Sequence, residues 1–188
     1  GAAAFGGASV MLGALYALER GRGPFGRHPR LHVGLAMAPV VALAGLSWLV
    51  LNLAGRGDAR PLPHVPLLNP IDVALGAMAA AVVAWWAAAR RLEPARITES
   101  RRRAALGVAG AAAFVWLDGV LVRAVHQWTG VRFRAEDLWD SVALQSSLSI
   151  AWTGVALAGM LGATRRGLRR AWMVFASLLG VVCLLYTS

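Results

Sequence analysis

Apolar residues fall in six long blocks, at about 2–18, 33–54, 71–89, 104–125, 142–164 and 171–187, with short arginine-bearing connections between them. Each block is close to the roughly 20 residues that a helix needs to cross a hydrocarbon core of about 30 Å. The blocks are rich in Ala and Leu and lack the alternate-residue pattern of a strand. Within hydrocarbon a helix satisfies its own backbone donors and acceptors, so the blocks predict helices. The expected fold class is all-α, a polytopic transmembrane helix bundle of about six spans, with residues 1–188 forming a single transmembrane region. Because the chain starts without Met and both starts and stops inside apolar stretches, it reads as a fragment of a longer polytopic protein.

Composition sharpens this picture. The chain is 58% hydrophobic and only 15% charged, whereas a soluble domain averages about 45–50% apolar. Its net charge is +10, and all 19 basic residues are Arg. Such a charge suits nucleic acid in general, but here the arginines sit in short connections between apolar blocks, so no nucleic-acid partner is expected. The expected partners are the lipid bilayer and the remaining transmembrane helices of the full-length chain.

The arginines also give an orientation. The 19–32 connection holds Arg20, Arg22, Arg27 and Arg30, and the 55–70 connection holds Arg56 and Arg60. The 90–103 connection holds Arg90, Arg91, Arg96, Arg101, Arg102 and Arg103. The 123–141 stretch holds Arg123, Arg132 and Arg134, and the 165–170 turn holds Arg165, Arg166, Arg169 and Arg170. High and low counts alternate, which puts 14 Arg on one side and 5 on the other. The arginine-rich side is expected in the cytoplasm. Loops 19–32, 90–103 and 165–170 are then cytoplasmic, loops 55–70 and 126–141 are periplasmic or extracellular, and both ends lie outside. Trp85, Trp86 and Trp172 at one surface, and Trp128 and Trp139 at the other, suit aromatic belts. Trp116 and Trp152 lie deeper and read as packing residues. Small residues such as Gly154, Ala158, Gly159 and Gly162 allow close helix approach, although 21 Gly make such spacing common by chance.

Little reactive chemistry is visible. Cys183 is the one cysteine, and His28, His32, His64 and His126 are scattered. No metal site, no cofactor and no catalytic residue is expected, and no nucleophile–base, zinc or phosphate-loop motif is present.

Polar residues at membrane depth are the candidates for function. Asn69-Pro70-Ile71-Asp72 opens the third block with helix-start chemistry: an Asn cap, a Pro at the first position and an acid facing the positive helix end. A further role facing a cavity is the sharper alternative. Asp118 lies about 21 Å into the fourth block at 1.5 Å per residue. Arg123 is about 140° round the same helix from Asp118, so the two do not pair there. Asp118 therefore needs a partner from another helix, water or a proton. Arg123, with His126 one turn on, is expected to snorkel to the headgroups, with anion binding as the alternative. Gln145, Ser149 and Trp152 form a stripe on the fifth block, joined by the hydroxyls of Ser146 and Ser147, and suit interhelical hydrogen bonds. Residues 133–141 read as a surface helix leading into the fifth block.

The strings Leu67–Asp72, Trp116-Leu117, Leu121–Trp128, Leu144–Trp152 and Ala163–Arg166, in this order, resemble the C-terminal part of a bacterial family of predicted membrane proteins catalogued as domain of unknown function 2339. The resemblance covers about residues 60–180 and implies a longer chain with more spans. Similar proteins tend to carry Asn at the position of Asp118, which argues against an obligatory carboxylate there. The end, Cys183–Ser188, departs from the usual Lys- and Asp-containing continuation, so no role is drawn from it. No activity comes with the resemblance. A structural or assembly role in the envelope of the inner membrane is the first reading. The alternatives are a transporter or binder of an envelope-related molecule, using Asn69, Asp72, Asp118, Arg123, His126, Gln145 and Ser149 as an outer-leaflet cluster, and a membrane-embedded transferase acting on a lipid-linked substrate.

Overall fold

The computed structural model describes residues 37–58, 63–92 and 97–187, with side chains to residue 184. The first apolar block, the 19–32 connection, Arg60 and Arg96 lie outside the described residues. Among the described residues there are six α-helices and no strand: α1 (Met37–Ala54), α2 (Pro70–Leu92), α3 (Glu99–Thr129), α4 (Ala135–Trp139), α5 (Val142–Arg165) and α6 (Arg169–Thr187). The fold is all-α, and by length and composition α1, α2, α3 and α5 can cross a membrane. The chain divides into two units, residues 1–127 and 128–188.

In the first unit α1 packs on α2 along a seam of alternating three- and four-residue steps. Ala74, Met78, Ala81 and Trp85 of α2 meet Met37, Val41, Ala44, Trp48 and Leu51 of α1. Ala74 and Ala81 leave room on the α2 side of this seam, and the Trp48 indole N–H reaches the Leu75 carbonyl at 3.1 Å. On the other side of α1, Leu43, Leu46, Leu49, Val50 and Leu53 are exposed. In water this would be a cost; in a bilayer it is a face for acyl chains.

The start of α2 follows the chemistry expected of it. The Asn69 side-chain oxygen accepts from the amides of Ile71 (3.1 Å) and Asp72 (2.9 Å). That satisfies two of the three donors left free at this helix start and is worth about 1 kcal/mol. Pro70 occupies the first helical position, where its missing N–H costs nothing.

α3 is longer than its apolar block. It has 31 residues, about 46 Å at 1.5 Å per residue, so its ends project beyond the hydrocarbon. The expected 90–103 connection is correspondingly shorter, because Arg101, Arg102 and Arg103 already belong to α3. The reason is local. The Thr98 hydroxyl caps the amide of Arg101 at 3.3 Å, and Glu99 in the first turn pairs with Arg102 (3.3 Å) and Arg103 (3.0 Å).

In the second unit α4 is the expected short lead-in, with Leu138 buried and Trp139 exposed. Ser141 caps α5 by accepting from the Leu144 amide at 3.4 Å. α5 and α6 pack on each other as a hairpin. Gly159 is what lets them approach, since a Cβ there would overlap the Phe175 ring. The turn between them closes on Gly167 at φ +65°, a left-handed conformation that glycine adopts without penalty.

Candidate polar site

The first unit holds a buried polar cluster built from all three of its described helices. Asn52 comes from the last turn of α1, Asp72 from the first turn of α2 and Arg123 from the later part of α3. Asn69, the α2 cap, joins them. Their exposures are 2% for Asn52, 1% for Asp72, 0% for Arg123 and 1% for Asn69.

Arg123 is the hub. Its Nη1 donates to the Asn52 backbone carbonyl at 2.9 Å. Its Nη2 donates to the Asn52 side-chain oxygen at 3.1 Å and to Asp72 Oδ1 at 2.5 Å. The other Asp72 oxygen accepts from the Asn69 side-chain amide and from the Leu67 N–H. Asn52 in turn donates from Nδ2 to the Val115 carbonyl of α3 at 2.7 Å. The carboxylate is therefore bonded through both oxygens, and the Asn52 amide through both its oxygen and its nitrogen. Arg123 Nε is buried without an acceptor among the described residues.

Glycines make the room. Gly119, one turn before Arg123, faces Asn52 so closely that a Cβ would overlap the amide. Gly57, at φ +70°, lies against the aliphatic stem of Arg123, where a Cβ would stand 2.8 Å from Cδ. The chain after α1 is fastened above the cluster. Gln127 donates to the Arg56 carbonyl (3.2 Å) and to Asp58 (3.0 Å), and His64 Nδ1 donates to the Gly57 carbonyl (3.2 Å).

Of the residues singled out from sequence, Asn69, Asp72 and Arg123 are thus brought together. The expectation that Arg123 snorkels is overturned, because it is fully buried. Asp72 and Asn52 stand at its own depth, so it gains a counter-charge and three acceptor atoms without reaching the headgroups. Asp118 and His126 are half-buried on the same helix, and the carboxylate that meets Arg123 is that of Asp72. Gln145 and Ser149 belong to the second unit, where Gln145 is exposed and donates to the Trp139 carbonyl at 2.7 Å, tying α4 to α5. The Ser147 hydroxyl bonds back to Ala143 of its own helix at 2.7 Å rather than across to a neighbour. Asn52 is the residue that sequence reading missed. Its signal was a lone amide inside an otherwise apolar block. Among the described residues no group of three or more His, Cys, Asp or Glu could hold a metal ion.

Chemically, such a cluster is a clasp. Removing two charges from water is costly, and the cost is offset only where geometry is good and the remaining polar atoms are bonded. Here the pairing neutralises the charges and, Arg123 Nε apart, the hydrogen bonds run to three helices and one turn.

The profile of a family described as predicted membrane protein (DUF2339) matches residues 1–184. No curated protein and no solved structure matches the chain. The family match and the four apolar helices agree on a membrane protein.

Proposed function

We propose that this chain, which belongs to the DUF2339 family of predicted membrane proteins, has a structural or assembly role in the inner membrane of the cell envelope. The observation that supports this reading is the closed state of the Arg123 cluster. Its guanidinium is fully buried, and both terminal nitrogens are engaged by Asp72 and Asn52 of the same unit. A group arranged for a passing substrate would keep a charged face open to it. Following the arginine distribution, the 90–103 and 165–170 connections lie in the cytoplasm, and the clasp lies toward the opposite leaflet.

Two measurements test this. A periplasmic reporter fused into the 90–103 connection should be inactive and one fused into the 55–70 connection active; the reverse pattern refutes the orientation. For the role, the double variant Asp72→Leu/Arg123→Met replaces the ion pair with apolar groups. Such exchanges are often neutral or stabilising. The double variant should therefore accumulate in the membrane at the parental level and restore envelope integrity to a deletion strain. A variant that accumulates normally yet fails to restore it would make the pair functional and sink the structural reading.

A further inference from the structure

The turn joining α5 and α6 carries the densest uncompensated charge among the described residues. Four of its six residues from 165 to 170 are arginines, and all four are exposed. The carboxylates of this unit are Glu136, Asp137 and Asp140, which precede α5. α5 is 24 residues long, so about 36 Å of helix separates them from the turn. The contrast is with the start of α3, where Glu99 already engages Arg102 and Arg103.

The turn is tight. Gly167 at φ +65° reverses the chain, and the Leu168 amide bonds back to Ala163 at 2.9 Å. Arg165 and Arg166 are therefore held beside Arg169 and Arg170. The latter two also stand in the first turn of α6, where the positive helix end opposes a cation. An anion among the four groups relieves both repulsions.

Position selects the anion. The turn ends a hairpin whose first helix is long and apolar enough to cross a membrane. Trp172, one turn into α6, is 41% exposed at the same end, and an exposed Trp beside a span marks headgroup level. Lipid phosphates are the anions concentrated at that depth, and a guanidinium pairs with phosphate through two parallel hydrogen bonds. We propose that the α5–α6 turn binds the headgroups of anionic phospholipids through Arg165, Arg166, Arg169 and Arg170. This does not depend on the structural reading of the Arg123 cluster.

A local readout tests it. The full chain, carrying a photo-crosslinking phenylalanine derivative in place of exposed Leu168, is reconstituted in bilayers of equal phosphatidylglycerol and phosphatidylcholine. Adducts are then counted by mass spectrometry. Phosphatidylglycerol adducts should exceed phosphatidylcholine adducts at least about fivefold, the ratio that a single arginine contact with an anionic surface provides. The excess should shrink in high salt. Changing all four arginines to Gln should bring the ratio near one, while changing all four to Lys should keep a clear excess. Should the Gln chain fail to insert, the parental ratio and the Lys chain decide. A parental ratio near one, or an excess unchanged in a folded Gln chain, would each overturn the proposal.

Discussion

Replacing Arg123 with alanine is expected to destabilise the first unit by about 3–5 kcal/mol, the cost of removing one member of a buried ion pair and leaving its partner uncompensated. The partner here is Asp72, 1% exposed and fixed by its position in the first turn of α2. Alanine also leaves the Asn52 carbonyl and side-chain oxygen without their donors from α3. Unfolding of the purified chain in detergent, followed by helical circular dichroism, measures the loss. Arg123→Lys should fall between the two, because an ammonium keeps the charge but cannot span the Asn52 and Asp72 acceptors as a planar fork does. A loss below about 1 kcal/mol for the alanine variant, the range of an exposed pair, would mean that the pair is not buried in the folded chain.

Gly119→Leu is expected to cost about 3 kcal/mol by a different route. The space for its Cβ is already filled by the Asn52 side-chain amide. That amide cannot simply turn aside, since its nitrogen is bonded to Val115 and its oxygen to Arg123. Overpacking of this kind costs about 1–3 kcal/mol, and disturbing a hydrogen bond to a charged group adds about 1.5–3 kcal/mol. Gly107→Leu supplies the control on the same helix. A Cβ there meets nothing within 4 Å, and replacing glycine in a helix interior gains up to about 1 kcal/mol. The same unfolding measurement should separate the two variants in opposite directions. Equal effects would show that Gly119 does not sit against Asn52.

The helices were legible in the sequence because a span leaves a one-dimensional trace, a run of apolar residues of the right length. The start of α2 was equally legible, since Asn69, Pro70 and Asp72 act on amides within three residues of themselves. The extra turn of α3 was not, because the arginines at 101–103 look like a loop until Thr98 and Glu99 are seen to cap and pair them. Arg123 was misread for a related reason. Within its own helix it has no counter-charge at pairing distance, so the headgroups seemed the nearest anions. Its true partner is 51 residues away along the chain and its second anchor, Asn52, 71 residues away. No local pattern joins positions so far apart; only the packing of α3 against α1 and α2 does. Asn52 itself passed as an isolated polar residue in an apolar block, although a lone amide at that depth already required a partner.

The clasp also implies an order of events during synthesis. Its three anchors leave the ribosome separately: Asn52 first, Asp72 next, and Arg123 another 51 residues later. At about 5–20 residues per second, that last interval is roughly 3–10 s. Through it the Asp72 carboxylate of α2 has a counter-ion that is not yet translated. Arrival of α3 ends this interval and locks the earlier pair in place.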